Sequence, residues 1–324
     1  MRIVTLEEHI SFPEMTAFLP ANIQDKRRSL GLMQDKLADI TGERLSTIQE
    51  TGIATQVLSV ENTDVYLLPD SLAPDFARKY NDLLAEKIKD HPSSFTAFAL
   101  LPVTTPIAAA EELERTVKTY GFKGAMIRGH INGEFLDAPK FAPIFEKAEQ
   151  LGVPIYLHPG IPPNEVIDAY YSNVGEMTGP NDAIACYGWG WHSETAIHVL
   201  RLLVAGVFDR YPRLKIIIGH MGEMLPMMWS RSNGAFKPGN GGRNKRTLIE
   251  TFTEQLFITT SGIFTQPPLQ LAIDTIGINN IMFSIDYPFS SNQVGVDFLN
   301  NLQLPADQIA QIAHLNADRI LGLK

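Results

Sequence analysis

The chain begins with "RIVTLEEH" (residues 2–9), a β-branched and apolar run that ends in two carboxylates and an imidazole. Side chains alternate across a strand, so Glu7 and His9 fall on one face of this segment and Glu8 on the other. In a parallel sheet every carboxyl end lies on the same side. Whether other runs end in the same kind of residue therefore bears on the fold and the chemistry together.

Seven further runs follow: "TQVLSV" (55–60), "FTAFALL" (95–101), "GAMIRG" (124–129), "VPIYLH" (153–158), "LKIIIGH" (214–220), "LFITTSG" (256–262) and "IMFSID" (281–286). Helical stretches separate them. In "TTPIAAAEELERTVKTYG" (104–121), Thr105 reads as an N-cap, Pro106 as the first helical residue, acids fill the first turn and Gly121 stands past the end. Eight strands alternating with helices predict an α/β fold, a closed (β/α)8 TIM barrel in a single domain over 1–324. An open doubly wound sheet is the alternative, but no Gly-x-Gly-x-x-Gly turn follows the first strand. Two connections exceed ordinary links. The loop after the fifth strand, 159–192, is rich in Pro, Gly and aromatics and is expected to help form a substrate pocket, whereas 232–247 is Gly-rich and basic and reads as a solvated excursion.

Hydrophobic residues make up 44% of the 324 and charged ones 19%, an ordinary globular balance. A net charge of −9 disfavours a nucleic-acid partner. An anionic ligand must then be met by a metal or by a few placed arginines. One cysteine, Cys186, excludes an internal disulfide framework, and no apolar run approaches the ~20 residues of a membrane span. With no signal-peptide pattern at the start, the expected location is the cytoplasm.

Chemistry in a barrel gathers at the carboxyl ends of the strands. The first run ends in Glu7-Glu8-His9, the fifth in His158, the sixth in His220 and the eighth in Asp286. A lone strand-end His or Asp is commonly structural; the joint occurrence points to a metal site. The mixed nitrogen and oxygen set suits one Zn²⁺, Mn²⁺ or Fe²⁺. Glu223 follows His220 by three residues and is placed to orient its imidazole.

"LEEH" (6–9), "YLHP" (156–159), "GHMGE" (219–223), "TTSG" (259–262) and "SIDYPF" (284–289), in this order, resemble the aminocarboxymuconate-semialdehyde decarboxylase-like branch of the amidohydrolase superfamily. Within it the likeness is to hydroxybenzoate decarboxylases of the γ-resorcylate and 2,3-dihydroxybenzoate type. It extends through "GFKGAMI" (121–127) and "ETAIHVLRLL" (194–203) to "NADRILGL" (316–323). The resemblance implies a barrel with one divalent ion, Zn²⁺ or Mn²⁺, held by Glu7, His9, His158 and Asp286. It implies a catalytic His220 oriented by Glu223, and a homodimer or homotetramer in which Arg231 reaches a neighbouring active site. The chain also departs from those relatives. It has Gly160 where they usually have Arg, Arg128 where they tend to have Asn, and a shorter 129–140 loop. An arginine lost and one gained suggest that Arg128 takes over a contact to the substrate.

The activity so implied is non-oxidative decarboxylation of a hydroxylated aromatic carboxylate, with release of CO₂. Asp286 and His220 are both candidates to protonate the ring carbon. Phe289 and Trp191, with Trp189 and Tyr187, either hold an aromatic ring or pack the lid. Hydrolysis of a lactone or amide by the same metal is the rival activity, and a metal-free binding protein is a third reading.

Overall fold

The computed structural model describes residues 1–21, 33–61, 63–176 and 183–323. Strands β1 (Val4–Ile10), β2 (Thr55–Val60), β3 (Phe95–Ala97), β4 (Ala99–Leu100), β5 (Ala125–Arg128), β6 (Ile155–His158), β7 (Ile216–Ile218), β8 (Leu256–Thr259) and β9 (Ile281–Met282) succeed one another with helices between them. Every ladder they form is parallel. This is the expected (β/α)8 barrel, with two refinements.

The run read as one strand over 95–101 is divided at Phe98. The N–H of Phe98 turns back to the Leu58 carbonyl, whereas that of Ala99 goes forward to Gly124, each at 2.9 Å. The ladders accordingly run β1-β2-β3 and β4 through β9, joined within one strand. The second refinement is the seam between the last strand and the first, which is sewn mainly by side chains. Ser284 Oγ accepts from the N–H groups of Leu6 (3.2 Å) and Glu7 (2.6 Å). The carboxylate of Glu8 accepts from the N–H groups of Ile285 (3.0 Å) and Tyr287 (3.1 Å). Among the described residues, only His9 N–H to Tyr287 O, at 2.7 Å, crosses here between backbones. Burial pushes the Glu8 carboxyl up to about 8, against the pull of those two N–H groups and of Arg44.

The register of β1 on β2 shifts between Thr5 and Glu8, so that β1 carries one residue more than its partner there. Val4 and Leu6 point into the barrel with Val57, Phe98, Met126, Tyr156, Ile217, Phe257 and Met282. Unbroken alternation would send Glu8 after them. The bulge reverses the parity, and the strand's upper end turns Glu7 and His9 inward. Beneath this layer Ala317, Ile320 and Leu321, on the helix Asn316–Leu321, plug the barrel floor.

Outside the barrel, the helix Ala73–Ile88 buries Phe76, Tyr80, Leu84 and Ile88 at helical spacing. The helix Pro106–Tyr120 starts and stops at the expected residues, with Gly121 left-handed at φ 70°. Its N-terminus differs from expectation. Thr105 Oγ1 donates to the Pro102 carbonyl instead of capping, and the acids, Glu111 and Glu112, come after the first turn. The 159–192 connection has a small core of its own from Ile167, Tyr171 and Ala185, and its residues 177–182 lie outside those described. The 232–247 connection begins inside the helix Leu225–Ala235 and is tied down by Arg246, which pairs with Asp209 at 2.9 Å and Glu254 at 2.8 Å. Much of it is exposed, but it is anchored and not a free excursion.

Candidate active site

Glu7, His9, His158 and Asp286 converge at the carboxyl end of the barrel, each offering a ligand atom within 4.8 Å of the others. The two oxygens of Glu7 are treated differently. Oε2 accepts from the hydroxyls of Tyr156 and Ser261, with Thr259 Oγ1 at 3.4 Å. Oε1 lies 3.0 Å from His158 Nε2 yet, though buried, makes no hydrogen bond. His9 Nε2 stands likewise, 3.1 Å from Asp286 Oδ1 and also buried without a hydrogen-bond partner. Buried polar atoms at ion-pair distance that do not hydrogen-bond fit a common central cation. Gly219 makes this packing possible, since a Cβ there would stand 2.5 Å from Glu7 Oε2.

Beside this cluster the chain after β7 turns sharply. His220, Met221, Glu223 and Met224 all have positive φ, between 45° and 66°, and Asp286 after β9 has φ 73°. Non-glycine residues held there store about 1–3 kcal/mol each, a cost typical of functional sites. The turn presents His220 Nε2 toward Asp286 Oδ2 (3.7 Å) and Glu7 Oε1 (3.8 Å), while His220 Nδ1 donates to Glu223 Oε1 at 2.7 Å. The other oxygen of Glu223 takes a second imidazole, that of His192, at 2.6 Å.

Charge in the site is separated between neighbours. Burial alone would raise Glu7, but the imidazoles of His220, His158 and His9 outweigh it and hold the carboxyl well below its usual range. Asp286 is likewise held low by His220 and His9 against its burial. Burial works against a charged His220, yet Glu223, Glu7 and Asp286 together raise it well above the usual imidazole range. Burial, and then the guanidinium of Arg128, push His158 down to about 4 and lower His9. One imidazole that keeps its proton thus stands beside carboxylates that do not.

Arg128 does not open onto the mouth. It is 9% exposed, with Nη1 against His158 Nδ1 (2.8 Å) and Nη2 against His9 Nδ1 (2.9 Å). Phe289 is half exposed and tilts over His9 at 5.8 Å between ring centroids. Trp191 donates from Nε1 to His192 Nε2 at 3.1 Å, while Tyr187 and Trp189 are largely exposed. Arg231 is exposed on the helix Leu225–Ala235 and forms no ion pair among the described residues. Neither the contact of His192 with Glu223 nor the hydroxyls around Glu7 were found from the sequence. Tyr156 carried a legible signal, since it precedes His158 by two and so shares its face. His198 is core: its Nε2 accepts from Leu136 N–H at 2.9 Å.

A parallel barrel with a buried imidazole–carboxylate cluster at its carboxyl end defines a class, the metal-dependent barrel enzymes. The chain belongs to the amidohydrolase family, whose model matches residues 35–323. It is 37% identical, over 99% of its length and 98% of the relative's, to a gamma-resorcylate decarboxylase from Rhizobium sp. strain MTP-10005. In structure it is similar to a 2,6-dihydroxybenzoate decarboxylase solved with 2,6-dihydroxybenzoate, with a TM-score of 0.87, 35% identity and coverage of 100% and 99% of the two chains. A dihydroxybenzoic acid decarboxylase from Polaromonas sp. JS666, solved with manganese and 2-nitroresorcinol, gives a TM-score of 0.87 at 33% identity, covering 99% and 97%.

Proposed function

We propose that the chain is a metal-dependent, non-oxidative decarboxylase of a hydroxylated aromatic acid of the γ-resorcylate or 2,3-dihydroxybenzoate kind. The observation that carries this reading is the convergence of Glu7, His9, His158 and Asp286 beside His220, whose imidazole Glu223 holds at 2.7 Å. The full-length likeness to decarboxylases supports it and leaves the hydrolytic alternative without an observation in its favour. The cofactor is one divalent ion held by those four residues, with Mn²⁺ favoured by the manganese of the Polaromonas relative. When bound, it supplies Lewis-acid charge for the substrate's carboxylate and phenolate oxygens.

The chain's own residues handle the proton. Loss of CO₂ that leaves a free aryl carbanion is too costly, so the ring carbon bearing the carboxylate is protonated first. His220 holds the proton at Nε2; Asp286 Oδ2, 3.7 Å away, closes to hydrogen-bond distance, receives it and delivers it to that carbon. The carbon–carbon bond then breaks, its electron pair returns to the ring and CO₂ departs. Glu223 keeps His220 oriented and charged. Phe289 and Trp191 flank the ring, and Arg231, on a helix with Met227 75% exposed, serves the neighbouring site of a homodimer or homotetramer. We read the chain as one domain in the cytoplasm. No described helix is long and apolar enough to cross a membrane.

A panel of hydroxybenzoates should test this. Mn²⁺-loaded protein is expected to release CO₂ from at least one ortho-hydroxylated member, to lose that activity to a chelator and to regain it with Mn²⁺. Lactone hydrolysis with every benzoate untouched would overturn the reading.

A further inference from the structure

The guanidinium of Arg128 spans the two imidazoles of the cluster through their Nδ1 atoms, with Nη1 also 3.4 Å from His158 Nε2, and its remaining anchor is Nε to the Val60 carbonyl at 3.2 Å. No carboxylate pairs with it directly among the described residues. Each Nδ1 that it faces has a second neighbour. For His9 this is Ser59 Oγ at 3.0 Å, and for His158 it is the Pro159 carbonyl at 2.8 Å. The guanidinium can only donate and the carbonyl can only accept.

A neutral imidazole carries one proton, so these two neighbours of His158 Nδ1 select opposite tautomers. Where Nδ1 accepts from Arg128, the proton sits on Nε2. Where Nδ1 donates to Pro159, Nε2 is bare. Nε2 is the nitrogen turned toward Glu7 in His158 and toward Asp286 in His9. A divalent ion taken between these groups needs bare Nε2 atoms, the tautomer that Arg128 opposes. It also meets a fixed charge of its own sign behind both rings. The strand end beyond His158 offers no substitute for this arginine, because a Cβ on Gly160 would stand 2.6 Å from the Cα of Gly129.

We propose that Arg128 is a positioning residue that works against the metal. It weakens the hold of His9 and His158 on the ion, and ion binding releases its guanidinium from both rings toward the carboxylate of the aromatic acid. One side chain then couples metal and substrate, each strengthening the other's binding. This inference rests on reading the four-residue cluster as the metal centre.

The test is retention of Mn²⁺ by loaded protein against rising EDTA, for wild type, Arg128→Met and Arg128→Gln, with and without salicylate as the anionic probe. Both variants remove the charge, so either suffices if the other fails to fold. Arg128→Met or Arg128→Gln is expected to hold Mn²⁺ at least about tenfold more tightly, whereas damage to the site would loosen it. Salicylate should tighten Mn²⁺ in wild type by a larger factor than in either variant. Variants that hold Mn²⁺ no more tightly than a wild type that binds it, or equal salicylate effects in all three, would overturn this inference alone. A wild type that retains no Mn²⁺ would overturn the metal-centre reading as well.

Discussion

Asp286 and His220 divide between them what neither does alone. Asp286 is held ionised by His220 and His9 in spite of its burial, and His220 is held protonated by Glu223, Glu7 and Asp286. A carboxylate with no proton of its own can serve as acid only if its neighbour refills it, which His220 Nε2 does once the 3.7 Å between them closes to hydrogen-bond distance. Asp286→Asn keeps the size of the side chain but removes the proton-carrying oxygen. It is expected to lower kcat by roughly 10²–10⁴-fold. Steady-state assay of the metal-loaded variant checks this, and near-normal turnover would remove Asp286 from the mechanism. His198 makes a prediction about stability. Burial holds its imidazole down at about 3, and Nε2 must stay bare to accept from Leu136. An unfolded histidine takes up a proton near 6.5 while the folded one does not. Its contribution is therefore complete above that pH and lost as pH falls toward 3, by up to about 1.4 kcal/mol per pH unit. Urea unfolding between pH 6.5 and 4 should show a shallower loss for His198→Gln than for wild type; equal slopes would contradict the assignment.

The first strand shows at the level of the element what alternation alone conveys. Glu7, His9, His158, His220 and Asp286 were legible in sequence because each closes an apolar run and together they mark one end of a barrel. The bulge between Thr5 and Glu8 was not legible, since it depends on the register with β2. Without it, Val4 and Leu6 would carry Glu8 into the barrel. With it, Glu8 sews the seam to the last strand, a role in which two backbone N–H groups depend on it. Glu8→Ala strands both in a buried place and should cost about 2–4 kcal/mol of unfolding free energy in urea, with Glu8→Gln costing less because an acceptor remains. A loss below about 0.5 kcal/mol, the range of an ordinary surface change, would show that the seam does not need it. The contact between His192 and Glu223 was not legible for a comparable reason. The two lie 31 residues apart, and only the folded lid brings them together.

Over the whole molecule, the sequence was most informative where many weak signals had to agree. The barrel followed from eight runs in alternation, whereas strand lengths did not, because His220 and Asp286 leave their ladders for strained turns that hydrophobicity does not mark. The departure at Arg128 was visible as a residue type. Its placement behind the imidazoles depended on the neighbouring strands that supply Val60, His9 and His158. The central claim is that this barrel protonates a ring carbon and expels CO₂ from it. The measurement that tests it most directly is turnover of 2,6-dihydroxybenzoate by Mn²⁺-loaded protein in D₂O, with the product read by NMR. The account predicts resorcinol carrying one enzymatically placed deuterium at the carbon that bore the carboxylate, formed together with CO₂. Recovery of the acid unchanged, from protein shown to hold Mn²⁺ and to bind the acid, would contradict it.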